Sequence, residues 1–258
     1  MEALKFTLSG NSAFFKDNVI NTVYLTYGNI HRVALLGMFG AILGYSGYGK
    51  QNSTYPEFYE KLKDIKISIV SNGENGYFNK KLQTFNNSVG YANLVKDEKK
   101  GISKKGGNLI VKQFWLENPS WDIYILLDCD EAEKLAKYIK NKKAIYLPYL
   151  GSNDHLANIT DVEIVNIVEK VSLKNESIEI SSMVKANDII YCNIDEDDLD
   201  EEENDDAKFD YNNSEYLPVA LSKELNQYIK EKITITNMSV KLLKESYYKV
   251  EDKNIVFY

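Results

Sequence analysis

Apolar and polar positions alternate along residues 3–9 (ALKFTLS), with Leu4, Phe6 and Leu8 on one side and Lys5 and Thr7 on the other. That period predicts a first strand. After Arg32 the pattern becomes helical, and Gly37, Gly40 and Gly44 fall on one face together with Ala41. A glycine inside a helix costs about 1 kcal/mol against alanine, so three of them predict close approach of another backbone, most simply a β-sheet beneath the helix. A helix seated that tightly aims its N-terminal amides, with His31 and Arg32 beside them, at an anionic ligand.

The alternation returns at 64–71 (DIKISIVS), after a short helical segment PEFYEKL that Pro56 opens. From Gly73 to Leu109 the pattern dissolves into Asn, Gly and Lys, then resumes as LIVKQFWLE, which predicts a long lysine-bearing hairpin standing off the sheet. Residues 122–128 (DIYILLD) have the composition of a buried strand, and Asp128 or Asp130 suits the cap of the following helix. That helix (EAEKLAKYIKNKK) gathers Ala132, Leu135, Ala136 and Ile139 on one face, and a further strand is expected over 160–168. The order β-α-β, hairpin, β-α-β predicts an α+β fold with a ferredoxin-like domain over residues 1–171 and an inserted hairpin at about 73–112. Residues 172–258 carry shorter strand-like runs and predict a small, mostly antiparallel β-rich region.

Composition refines this picture in two places. The net charge of −7 includes ten carboxylates packed into residues 195–206 (DEDDLDEEENDD), expected to form a solvated loop, so the rest of the chain is positive. Residues 73–112 hold eight lysines against Glu74, Asp97 and Glu98, a basic segment that a phosphate backbone would feel. Cys129 and Cys192 lie far apart without metal-ligand spacing, which fits reduced thiols in a cytoplasmic protein. The longest apolar run is broken by glycines and too short to span a bilayer, so no membrane partner is expected.

The long connection from Gly10 to Ile30 mixes rings, amides and a cation: Phe14, Phe15, Lys16, Asn18, Asn21, Tyr24 and Tyr27. That mixture suits unstacked bases. In residues 147–159 (LPYLGSNDHLANI), a proline, Gly151 and amides including Asn153 predict a tight turn able to cup a phosphate, with His155 beside it. With only His31 and His155 present, no metal site or cofactor is expected, and neither a P-loop nor a GxSxG elbow occurs. A catalytic His155 or His31 would take the proton of a ribose 2′-OH, assisted by a tyrosine such as Tyr27 and a lysine, in metal-free RNA cleavage.

Taken together, FTLSGNSAFFKD, LTYGNIHRVALLGMFGAILGYSG, LPYLGSNDHLANI and the closing YYKVEDKNIVFY resemble family five of the CRISPR-associated proteins, a branch of the RAMP superfamily, in the form found in type I-B systems. The resemblance implies a palm with a protruding thumb that grips the 5′ handle of a CRISPR RNA. It implies a place at the foot of the Cascade surveillance complex, in contact with the backbone subunit and the large subunit, and with target DNA only through the complex. On that analogy Phe14, Phe15, Lys16, Asn21, Tyr27, His31 and Arg32 would line the handle pocket, with Gly151, Asn153 and His155 beside them. Lys80 and Lys81 would lie on the thumb. Ile30 and His31 stand where many relatives have prolines, Ser152 stands where a basic residue is frequent, and the acidic run has no counterpart in the family pattern. The resemblance implies a binding subunit without catalytic residues. Because type I-C members cut precursor RNA themselves, the alternative is a metal-independent endoribonuclease.

Overall fold

A computed structural model describes residues 1–19, 22–50, 54–87, 95–97, 102–104, 109–172, 176–192, 210–244 and 246–258. Asn21 and the acidic run at 195–206 lie outside the described residues. The elements that frame the site are, in chain order, β1 (Glu2–Ser9), α1 (Arg32–Leu43), α2 (Glu57–Leu62), β2 (Ile67–Ser71), β3 (Lys80–Asn86), β4 (Ile110–Glu117), β5 (Ser120–Leu126), α3 (Asp130–Lys140), β6 (Asn158–Asn166), β7 (Asn212–Leu221), β8 (Tyr228–Thr236), β9 (Ser246–Val250) and β10 (Lys253–Ile255).

The architecture is α+β and mostly antiparallel. β1 lies between β6 and β5, β2 adds to the far side of β5, and each of these pairings is antiparallel. Alternation along β1 places Leu4, Phe6 and Leu8 in the main core, where the Phe6 ring meets Phe39 of α1 edge-on at 6.4 Å. The opposite face of the sheet is covered too. Ala3, Val70, Tyr124 and Leu126 pack there under Val250, Ile255 and Phe257 from the β9–β10 hairpin and its continuation. Lys5 on that face makes an ion pair at 2.8 Å with Glu163, its cross-strand neighbour on β6. Residues of the β7–β8 hairpin, among them Leu217, Val219, Leu221, Ile233 and Ile235, share the main core with Phe6 and Phe39.

The glycine face of α1 does not rest on the sheet. Leu35, Leu36, Phe39 and Ile42 fill the core, whereas Gly40 abuts α2, where an added Cβ would lie 2.4 Å from the Phe58 Cβ. Gly37 lies on a groove, where an added Cβ would meet only the edge of Phe58 at 4.0 Å, and Gly44 ends the helix in the left-handed region at φ 78°. The stripe therefore serves a helix–helix contact and a groove. Gly40→Ala should destabilise the protein by about 1–3 kcal/mol through overpacking, despite alanine's better helix propensity, as thermal unfolding would show.

Helix α3 also departs from expectation at its start. Its N-cap is Cys129, which makes no side-chain cap bond, in place of Asp128 or Asp130. Asp130, Glu131 and Glu133 in the first turn and Lys137 and Lys140 in the last complement the helix dipole instead. The lysine-bearing excursion is a hairpin of β3 and β4, paired from Lys80–Leu116 to Asn86–Ile110, and is continued by Val95–Asp97 paired with Ile102–Lys104.

Candidate nucleic-acid interface

The connection from residue 10 to 31 is held at several points. Ser12 and Ala13 pair with Glu117 and Leu116 of β4, and Lys16 and Asp17 pair with Thr26 and Leu25. The Phe15 amide donates to Thr26 Oγ1 at 3.0 Å, and the Tyr27 amide donates to the Phe15 carbonyl at 2.9 Å. These bonds pull two of the expected base-stacking rings inward. Phe15 lies edge-on to Trp121, and Tyr27 is 1 % exposed, so both act as core residues that staple the loop.

His31 and Arg32 are likewise turned inward, which corrects the expectation that they reach a ligand directly. His31 is the N-cap of α1, with its Nδ1 accepting from the Ala34 amide at 3.1 Å, and its ring is enclosed edge-on by Phe15, Tyr27 and Tyr228. Burial, helped by the Lys230 ammonium, holds its pKa down to about 3, so it is neutral and an acceptor at the cap. The Arg32 guanidinium donates to the carbonyls of Tyr258, Val219, Lys63 and Ile65. It ties α1 to the segment before β2, to β7 and to residue 258.

The 147–159 turn docks on the same loop. The Phe14 amide donates to the Leu150 carbonyl at 3.1 Å. Gly151 sits at φ +90°, and a Cβ there would lie 1.9 Å from the Phe14 carbonyl oxygen. No other residue type fits without moving one partner. Gly151→Ala should cost about 1–3 kcal/mol and displace Phe14, read as a lowered thermal midpoint. Asn153 is exposed at the tip, but His155 is buried, with Nδ1 2.6 Å from Ser12 Oγ and its ring edge-on to Trp115 at 4.7 Å. Burial lowers its pKa, and the residue ties the turn to Ser12 and to Trp115 of β4 instead of standing in the turn as an exposed base.

Loop, helix and turn together enclose an open groove of about 820 Å³. Ala34, Gly37 and Ala41 of α1 form its floor, and Tyr48, Tyr146, Tyr149 and Tyr228 supply exposed aromatic surface, whereas Phe14 and Phe58, although in its lining, are largely buried. Of the residues singled out in the sequence, Phe14, Phe15, Lys16, His31 and Gly151 line it. Lys16 is exposed at its rim, with Nζ 4.3 Å from the centroid of the Tyr24 ring. Lys80 and Lys81 lie apart from the groove on β3 of the β3–β4 hairpin. Lys80 Nζ donates to the Thr26 carbonyl at 3.2 Å, and Lys81 makes a 3.5 Å ion pair with Glu117. An open, ring-lined groove with a small-residue floor accepts flat π-systems, and Lys16 is the one cation among its described lining residues.

Sequence reasoning missed Tyr228 and Lys230, which β8 brings to the site from almost 200 residues away. Tyr228 closes the groove over His31, and Lys230 bridges Asp17 at 3.0 Å and covers the Tyr27 ring. Their i, i+2 spacing, which puts a ring and a cation on one face of a strand, was the available signal. β7 is anchored to the same loop by Glu215, both of whose carboxylate oxygens accept from the Gly28 amide at 2.9 Å.

No protein-family model matches the chain, and no curated protein matches it. Its fold is shared with solved structures. One is a chain of a "CRISPR RNA-guided surveillance complex", with 13 % identity and a TM-score of 0.52, covering 92 % of this chain and 90 % of that one. Another is a CRISPR protein from Archaeoglobus fulgidus, with 12 % identity and a TM-score of 0.51, covering 99 % of this chain and 98 % of the other. At such identities the likeness establishes a common fold. Among the described residues no helix is long and apolar enough to cross a membrane, and no group of His, Cys, Asp and Glu is arranged to hold a metal ion.

Proposed function

We propose that this chain is a non-catalytic subunit of a type I CRISPR surveillance complex, of the I-B kind, that holds the 5′ handle of the crRNA. The observation that carries this reading is the aromatic groove, because it forms where three separate sequence blocks of the family resemblance come together. The fold shared with a surveillance-complex chain supports it. So does the sheet order, in which β6, β1, β5 and β2 stand as strands 4, 1, 3 and 2 of a β-α-β-β-α-β unit, the arrangement of a ferredoxin-like palm. On this reading the β3–β4 hairpin is the thumb, and the backbone and large subunits of the complex are the protein partners. Target DNA is reached only through the assembled complex.

The test is binding of a labelled repeat-derived RNA across a salt series. At Gly37 an added Cβ meets only Phe58 Cε2, at an ordinary contact distance of 4.0 Å, so Gly37→Leu extends into the groove without a clash at Cβ while raising helix propensity. It should weaken RNA binding at least tenfold with no fall in thermal midpoint. Lys16→Ala should lower the slope of log affinity against log salt by about 0.7, the value for one contact to a single strand. Undiminished binding by Gly37→Leu would overturn the assignment of the groove.

The endoribonuclease alternative has one observation in its favour: Tyr27 and Lys230 do lie beside His31. The same burial that keeps His31 neutral leaves it a weak base, and its Nδ1 is already engaged at the helix cap. Incubating the protein with labelled repeat RNA in EDTA separates the two readings, since intact RNA is expected and specific cleavage would replace the non-catalytic reading.

A further inference from the structure

The groove is poor in cations for a site that holds a nucleic acid. Lys16 is the one lysine in its described lining, and the ammonium groups nearby are already engaged. Lys61 and Lys134 lie over the ring of Tyr45, a lining residue, but Lys61 pairs with Glu57 at 3.1 Å. Lys134 donates to the Tyr45 hydroxyl at 2.7 Å, and that hydroxyl donates in turn to Glu131. Lys230 is bound to Asp17. Every nucleotide brings a phosphate, so a strand with its bases against the tyrosines carries charge that the lining leaves unmatched.

Unpaired cations stand just beyond one end of the groove, where α3 gives way to the segment 141–146. The backbone there is fixed. The Lys142 amide donates to the Ile139 carbonyl at 3.0 Å, the Lys143 amide donates to the Tyr138 carbonyl at 2.9 Å, and Lys142 sits in the left-handed region at φ +51°. The chain then crosses to α1, where the Ile145 and Tyr146 amides donate to the carbonyls of Ile42 and Ala41 at 3.0 and 3.2 Å. Those bonds satisfy acceptors at the C-terminal end of α1 and hold Tyr146, 61 % exposed, in the groove lining. Lys143 is three residues from Tyr146, a span of at most about 11 Å even for an extended chain.

The lysines of this stretch differ in what surrounds them. Lys137 and Lys140 complement the dipole in the last turn of α3, and they line a recess together with Glu2 and Glu133, which offset their charge. Lys142 and Lys143 lie past the helix cap, are exposed, and form no ion pair among the described residues.

We propose that Lys142 and Lys143 bind phosphates of the RNA strand where it leaves the groove past Tyr146, supplying charge that the groove lining lacks. This rests on the RNA-binding reading above. Lysine suits the task, because an ammonium on a flexible stem meets phosphate as a point charge and reads no base, so the contact adds affinity without sequence preference.

The test measures binding of labelled repeat-derived RNA by the full chain across a salt series. Replacing both residues, Lys142→Gln with Lys143→Gln, should lower the slope of log affinity against log salt by about 1.4, the value for two contacts to a single strand. It should weaken binding about tenfold near physiological salt and leave the thermal midpoint unchanged. Lys170→Gln with Lys249→Gln removes the same net charge from exposed positions on the strand Val168–Val171 and on β9, and should leave the slope as it was. An unchanged slope in the Lys142 and Lys143 variant, or an equal fall in both variants, would overturn the proposal and leave the groove assignment standing. So would weaker binding that comes with a lowered thermal midpoint and the original slope, the mark of a structural role. If the unaltered protein binds no repeat RNA, the RNA-binding reading falls and this proposal falls with it.

Discussion

Arg32→Ala should destabilise the protein severely, although arginine at the start of a helix looks like a ligand-binding residue. Its guanidinium spans four backbone carbonyls from three parts of the chain, at Lys63 and Ile65, at Val219 and at Tyr258. Each hydrogen bond from a charged donor contributes about 1.5–3 kcal/mol, and truncation leaves acceptors behind that water reaches only in part. The expected loss is about 3–5 kcal/mol, a large fraction of the stability of a domain of this size. Arg32→Lys should recover only a part of it, because an ammonium is a compact point donor and cannot span four acceptors in a fixed plane. Urea unfolding of both variants measures this. A stable Arg32→Ala protein that has lost RNA binding alone would show that the guanidinium acts on the ligand and not on the fold.

The second large effect is a loss of stability in acid that traces to His31. In the folded protein the ring stays neutral down to about pH 3, whereas in the unfolded chain it protonates near 6.5. Below pH 6.5 the unfolded state therefore binds a proton that the folded state does not. The stabilisation from the neutral ring is complete above that pH and is withdrawn at about 1.4 kcal/mol per unit as the pH falls towards 3. Between pH 7 and pH 4.5 the decline from this group should reach about 2–3 kcal/mol. His31→Asn retains an acceptor for the Ala34 amide and removes the titration. It should lower stability at pH 7 through lost ring packing and flatten the acid limb. Parallel curves for the two proteins would refute the assignment to His31.

These two residues also show where sequence reading stops. His31 and Arg32 were visible as conspicuous polar residues ahead of an apolar helix, but nothing local says whether such a side chain turns outward to a ligand or inward to a cap and four carbonyls. The glycines of α1 present the same problem. Helical spacing put Gly37 and Gly40 on one face, yet that face meets Phe58 and a groove, because the larger residues Leu35, Leu36, Phe39 and Ile42 claim the sheet. Phe14 and Phe15 are both buried, Phe15 in the main core through backbone bonds to residues 26 and 27 and Phe14 against the 147–159 turn through its bond to Leu150, a difference that nothing in their local sequence specifies.

Local pattern was sufficient for the strands and helices of the central sheet, for the lysine-rich hairpin and for the mixed α+β class, since period and turn chemistry act over a few residues and need no distant partner. It was also sufficient to mark the 14–16 loop and the Gly151 turn as unusual. That these stretches touch each other, that Tyr228 of a distant strand closes the groove with Lys230 bound to the adjoining loop, and that both histidines are buried was decided by the tertiary structure. Burial and hydrogen-bond partnership are properties of the packed chain, and residues scores to hundreds of positions apart determine them together.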